Sequence, residues 1–211
     1  MSPVRKSKYM IKVNRLEALT DGVFAIAMTL LVLGITVPEL GKYPRPDELL
    51  KALMTIWPSF FHYALSFLIL GRVWISLTHQ FELIEYTDRT HLYINLFILM
   101  SVVLIPFTTT LIAEYPGIYV AEFIFHLNFL CLGGAIFGQL RYSIHGRRLA
   151  KESINPKLVA KLEIMNLTLP VVAILGLLIA FWSPRWSTAP YLIILLAPAF
   201  IKSGKLSDEL V

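Results

Sequence analysis

Arg15-Leu16-Glu17-Ala18-Leu19-Thr20-Asp21-Gly22-Val23-Phe24-Ala25-Ile26-Ala27-Met28-Thr29-Leu30-Leu31-Val32-Leu33 opens with charges and then runs apolar without interruption. From Asp21 to Glu39 the chain carries 17 uncharged residues. That is close to the roughly 20 residues a helix needs to cross a hydrocarbon core about 30 Å thick. The pattern predicts a helix over 15–37. Ile26, Leu30, Leu33 and Val37 recur at i, i+4, i+7 and i+11 and so share one face, with Thr29 beside them. Such a stripe faces lipid or another helix. Asp21 at the mouth of a span is costly unless paired. Arg15 lies six residues away, about 240° around the helix, so the partner is expected on another helix or subunit.

The same charge ruler applied outward gives five more spans. Lys51 to Arg72 encloses 20 uncharged residues, Arg89 to Glu114 24, Glu122 to Arg141 18, Glu163 to Arg185 21 and Arg185 to Lys202 16. The expected helices cover 15–37, 50–76, 90–113, 118–142, 159–182 and 187–203, forming one transmembrane domain over 1–211. Composition agrees: 56% of residues are hydrophobic and only 16% charged, too few to coat a soluble particle of this size. Mean hydropathy is +0.67. Barrel strands are shorter and alternate polar with apolar, so the fold class is all-α and polytopic, in a lipid bilayer. The stretch Pro38–Pro46, the turn at Tyr115-Pro116-Gly117 and that at Ser183-Pro184-Arg185 separate helices.

With six spans both termini share a side. Fifteen of the 19 basic residues fall there, Arg72 and Arg89 among them, and only Lys42, Arg45, Lys51 and Arg185 fall opposite. The positive-inside rule puts both termini in the cytosol of a cell-membrane protein, and it accounts for the net charge of +5 without nucleic acid. A cleaved signal peptide is disfavoured, because Ala25-x-Ala27 comes too early in the apolar run and Glu17 and Asp21 precede it. One cysteine excludes a disulfide framework and any thiolate cluster.

Arg15-x-x-x-Leu19-Thr20-Asp21, opening the first membrane helix, resembles the Arg-x-x-x-Phe-Ser-Asp signature of the transmembrane protein 175 family, the endolysosomal potassium channel and its prokaryotic relatives. It departs at Leu19 and Thr20; Thr keeps the hydroxyl of Ser, whereas Leu loses the aromatic face of Phe. The continuation Gly22 to Leu33 and the helix count are similar too. Weaker echoes are Trp74 with His79 and Phe81, then Asn95 and Pro106-Phe107-Thr108. The resemblance implies a homotetramer of six-helix subunits whose first helices line a pore for K⁺. In that family an aliphatic ring five residues after the motif Asp narrows the pore. The matching residue is Ile26, with Leu30 and Leu33 further along and Thr29 as a polar layer, while Arg15, Leu19, Thr20 and Asp21 anchor the motif. An aliphatic ring can gate by dewetting, unlike a carbonyl filter, and no Thr-Val-Gly-Tyr-Gly segment is present.

Polar residues inside spans are functional suspects. His79, His91 and Asn95 are candidates for a polar network, with His91 and Asn95 bonding across helices to Asp21 or Arg15. Glu122 and His126 stand at i, i+4, but two ligands are too few for a metal, and a hydrogen-bonded structural pair is the better reading. No cofactor and no metal site is expected. Gly133, Gly134 and Gly138 are expected to pack within the subunit rather than to form a dimer motif. An intramembrane enzyme is not expected, since the chain has neither Gly-x-Ser-x-Gly nor an acidic dyad at membrane depth. The competing reading is an oligomeric secondary transporter of a small solute or ion.

Overall fold

Val13, Leu16, Thr20, Phe24, Ala27 and Leu31 recur every three or four residues and are all buried. They give the first helix one inward face. In the computed structural model, which describes residues 11–145, 149–151 and 155–194, this helix is α1 (Val13–Leu30), tightened into a 3-10 turn over Leu31–Gly34. It packs against α3 (Trp57–Glu82) and α4 (Arg89–Glu114). α5 (Tyr119–Ile144) packs on α4 and on α6 (Pro156–Trp182), which completes the described bundle. Among the described residues five helices are long and apolar enough to cross a membrane. The protein is an all-α, multi-pass membrane protein.

The expected second span, 50–76, is divided. Pro46–Thr55 forms a separate short helix, α2, with Pro46 in its first turn and the Arg45 backbone N–H bonded to Glu48 at 3.0 Å. Pro58 has no N–H to continue the ladder, so α3 starts afresh at Trp57 and runs on to Glu82. α2 has no buried residue and mixes Asp47, Glu48 and Lys51 with Leu49, Leu53 and Met54. Extending α3 to Glu82 moves Arg72 from a cytosolic end into the helix interior, about 15 Å from its terminus at 1.5 Å per residue. The charge ruler failed there because Arg72 has an internal partner, described below. Of the expected sixth helix, 187–203, residues 187–190 form turns and 191–194 are helical, and 195–203 lie outside the described residues. The basic residues among positions 1–10, and Arg147, Arg148, Lys202 and Lys205, also lie outside them.

Short backbone ties gather one end of the bundle. The strands β1 (Ile11–Lys12) and β2 (Tyr86–Thr87) pair antiparallel, setting the start of α1 beside the α3–α4 connection. Ile84 bridges Ala150, and the Lys151 N–H donates to the Leu83 carbonyl at 3.0 Å, which brings the α5–α6 connection to the same end. Asp88 caps α4 by accepting from the His91 N–H at 2.9 Å, and Asn155 caps α6 by accepting from Lys157 N–H at 2.9 Å. At the opposite end Gly117 turns the chain with φ +78, a conformation that favours glycine.

The glycines divide differently from expectation. A Cβ on Gly133 would sit 2.7 Å from Pro170 Cδ and 2.8 Å from Pro170 N, so Gly133 is what lets α5 and α6 touch. A Cβ on Gly134 or Gly138 would meet nothing within 4 Å. These two line an open groove with Tyr93, Phe97 and Cys131 between α4 and α5 instead of packing inside the subunit. Gly133→Ala should therefore destabilise by about 1–3 kcal/mol, since the Pro170 ring and backbone cannot move aside. Gly134→Ala should be neutral or stabilising, by up to about 1 kcal/mol of helix propensity. Melting of the two variants in the same detergent checks the contrast.

Candidate pore-lining site

With one face of α1 committed to the core, the other is left outside. Phe24 and Ala27 are each 1% exposed, whereas Ile26 is 62%, Leu30 42% and Leu33 72% exposed. Val37, at 84%, continues the stripe beyond the helix. Thr29 lies in the same exposed strip, its hydroxyl donating to the Ile26 carbonyl at 2.8 Å. That bond satisfies the hydroxyl hydrogen and leaves the oxygen's lone pairs outward. The four residues Ile26, Thr29, Leu30 and Leu33 thus form one continuous surface, apolar apart from a single oxygen layer. No other part of the described subunit covers it.

The motif residues point elsewhere, and each takes its own role. Asp21 accepts a 2.8 Å hydrogen bond from the Trp74 indole on α3, the outside donor that its position requires. Thr20, fully buried, donates to the Leu16 carbonyl at 2.9 Å and accepts from Asn95 Nδ2 at 3.0 Å. Asn95 Oδ1 in turn accepts from Gln139 Nε2 at 3.1 Å. Three helices, α1, α4 and α5, are joined through this one buried chain of side chains. Leu19, 48% exposed, lines a shallow apolar groove with Val23, Leu96 and Met100. Arg15 is exposed and forms no ion pair among the described residues.

The expected polar network is therefore redrawn. Asn95 does bond α1, but through Thr20 rather than Asp21 or Arg15. His91 is buried and pairs locally, Nδ1 to the Thr87 hydroxyl at 2.8 Å, with its ring edge-on to Phe81. His79 turns back to the Ile75 carbonyl of its own helix at 2.8 Å and joins neither. Trp74 and Gln139 were not singled out as partners by the pattern of the chain. Trp74 had one usable signal, an indole N–H that is a donor only, two helices from an acid that needs one. Gln139 had none beyond being a polar residue at membrane depth.

A second buried group closes the opposite end of α5. Ser187 donates to Glu122 Oε2 at 2.9 Å, and His126 Nδ1 lies 3.0 Å from the Tyr191 hydroxyl with the two rings stacked. His126 Nε2 is 3.9 Å from Glu122. Glu122 and His126 tie residues 187–191 onto α5 separately, through Ser187 and Tyr191, rather than forming the hydrogen bond to each other that their spacing suggested. Among the described residues no third His, Cys, Asp or Glu joins them to make a metal site.

Residues 15–106, from the motif through α3 to the middle of α4, match the family described as the endosomal/lysosomal potassium channel TMEM175. That match takes in a little under half of the chain. A potassium channel of Streptomyces collinus is 43% identical over 102 residues, 48% of this chain and 48% of that protein. A potassium channel of Chamaesiphon minutus is 38% identical over 130 residues, 60% of this chain and 63% of that protein. The chain thus aligns with between about half and under two thirds of the length of these relatives. The likeness in fold reaches further. The crystal structure of a lysosomal potassium-selective channel TMEM175 homolog from Chamaesiphon minutus matches with a TM-score of 0.77 at 28% identity, covering 91% of this chain and 98% of that one. These TMEM175 relatives are named as channels and not as enzymes.

Proposed function

We propose that this chain is a member of the TMEM175 family and one of four identical subunits of a K⁺-permeable channel in a cell membrane, with both termini cytosolic. Four α1 helices would surround the axis. Ile26, Leu30 and Leu33 form the narrow apolar section and Thr29 an oxygen layer within it. The observation that carries this reading is the two-faced α1, whose aliphatic stripe stays outside while the opposite face is packed to completion. One helix cannot enclose a conduit, so the stripe becomes a pore wall only in a closed cyclic assembly. Relatives named as potassium channels support K⁺ as the permeant ion. The motif fits as the anchor of that wall. Asp21 to Trp74 and Thr20 to Asn95 fix the rotation of α1 about its axis, and rotation decides which residues face the centre.

Such a constriction acts through hydration. When narrow it holds no water, and widening by a small amount admits hydrated or partly hydrated ions. Discrimination between K⁺ and Na⁺ then follows from the cost of shedding water, which is larger for the smaller ion. The test is recording from purified protein in planar bilayers under opposed K⁺ and Na⁺ gradients, with particle mass measured in the same detergent. A reversal potential displaced toward that of K⁺, from a particle of four chains, is the expected result. Saturating flux coupled to a second solute would instead identify a transporter. A single-chain particle would end the proposal.

A further inference from the structure

Arg72 lies half-buried between the helices at the level of Gly133 on α5 and Asn166 on α6, and no carboxylate pairs with it among the described residues. A guanidinium stays charged at any accessible pH, and a charge at this depth is costly without compensation. Its Nη1 donates to the Ile194 carbonyl, a dipole that offsets part of the cost but supplies no negative charge. Beside it is a cavity of about 20 Å³, lined by Arg72, Ser76, Asn166, Thr168 and Ile194 with mostly apolar side chains around them. Ser76 donates to Asn166 Oδ1, which leaves Asn166 Nδ2 buried with no hydrogen-bond partner. The Thr168 hydroxyl hydrogen is taken up by the Ile164 carbonyl, so the polar hydrogens left over on this wall are the remaining guanidinium N–H groups and the Asn166 amide.

We propose that this cavity binds one monovalent halide, chloride in ordinary salt. A water could accept from Asn166 and Arg72 but would leave the charge uncompensated in a low-dielectric site. A halide does both. About 10–15 Å³ of this kind holds one water, so the volume suits a monatomic ion. The site is within one subunit and separate from the exposed face of α1. The bound anion would join α3 and α6 to the segment carrying Ile194.

The test uses the full chain in detergent, melted in potassium chloride or bromide against potassium gluconate at equal ionic strength. Ligand binding to the folded state alone raises the melting temperature with ligand concentration. The wild type should show such a halide-dependent rise. Asn166→Asp places a carboxylate in the same volume beside Arg72, so an internal pair replaces the anion. This variant should lose the halide dependence and melt in gluconate at or above the wild type. Crystals grown in bromide should give an anomalous peak between Arg72 and Asn166. Equal melting of the wild type in bromide and gluconate, with no such peak, would overturn the proposal in favour of a water. So would an Asn166→Asp variant with the same halide shift as the wild type, because that marks a general salt effect.

Discussion

Ile26→Asn is expected to raise single-channel K⁺ conductance about tenfold or more and to move the K⁺ to Na⁺ permeability ratio toward one. A tenfold gain in rate corresponds to a barrier lowered by about 1.4 kcal/mol, a modest fraction of what removing hydration waters from an ion requires. The side chain at this position is 62% exposed in the subunit, so the substitution disturbs no packing inside it. In the proposed assembly it replaces four aliphatic walls by amides that hold water. Ions would then keep more of their hydration, and the size-dependent cost that separates K⁺ from Na⁺ would shrink with it. Bilayer recordings of both forms decide the matter. Unchanged conductance and permeability ratio would mean that Ile26 faces lipid, and the bottleneck would have to be sought elsewhere.

Asn95→Leu should cost about 2 kcal/mol, seen as a melting temperature lower by about 4–8 °C in detergent. The wild-type amide makes two interhelical bonds, to Thr20 and from Gln139, each worth about 1 kcal/mol net in proteins of this kind. Leucine is of similar volume, so the loss is of bonding rather than of packing. The Gln139 amide would be left buried without an acceptor, which adds to the cost. Gln139→Leu should be milder, because Asn95 can still donate to Thr20 and only its acceptor side is orphaned. A larger effect of Gln139→Leu than of Asn95→Leu would contradict Asn95 as the centre of the relay.

The aliphatic stripe of α1 was readable from the chain alone. Spacing of three and four places Ile26, Leu30 and Leu33 on one side, while the structure supplied the opposite, buried side of Phe24, Ala27 and Leu31. The length of uncharged stretches announced helices of membrane-spanning size, because both the rise per residue and the thickness of the hydrocarbon are constant. Local chemistry also marked a helix boundary, as at the Tyr115-Pro116-Gly117 turn. The need of Asp21 for an outside donor followed from the cost of an unpaired charge.

What the chain could not disclose is which partner each polar group meets. Asp21 finds Trp74 53 residues away, and Thr20 finds Asn95 across 75, distances over which periodicity carries no information. Arg72 was read as the boundary of a span and proved to be an internal residue, since burial of a charge is decided by the carbonyl and cavity that neighbouring helices bring to it. Likewise Gly133 and Gly134 are indistinguishable as letters, yet one is pressed against Pro170 and the other faces open space. The sequence by itself determined that this is a bundle of membrane helices opened by a helix with an aliphatic stripe. Only the tertiary structure decided how that helix is rotated and held, because rotation is set by hydrogen bonds between residues remote in sequence and close in space.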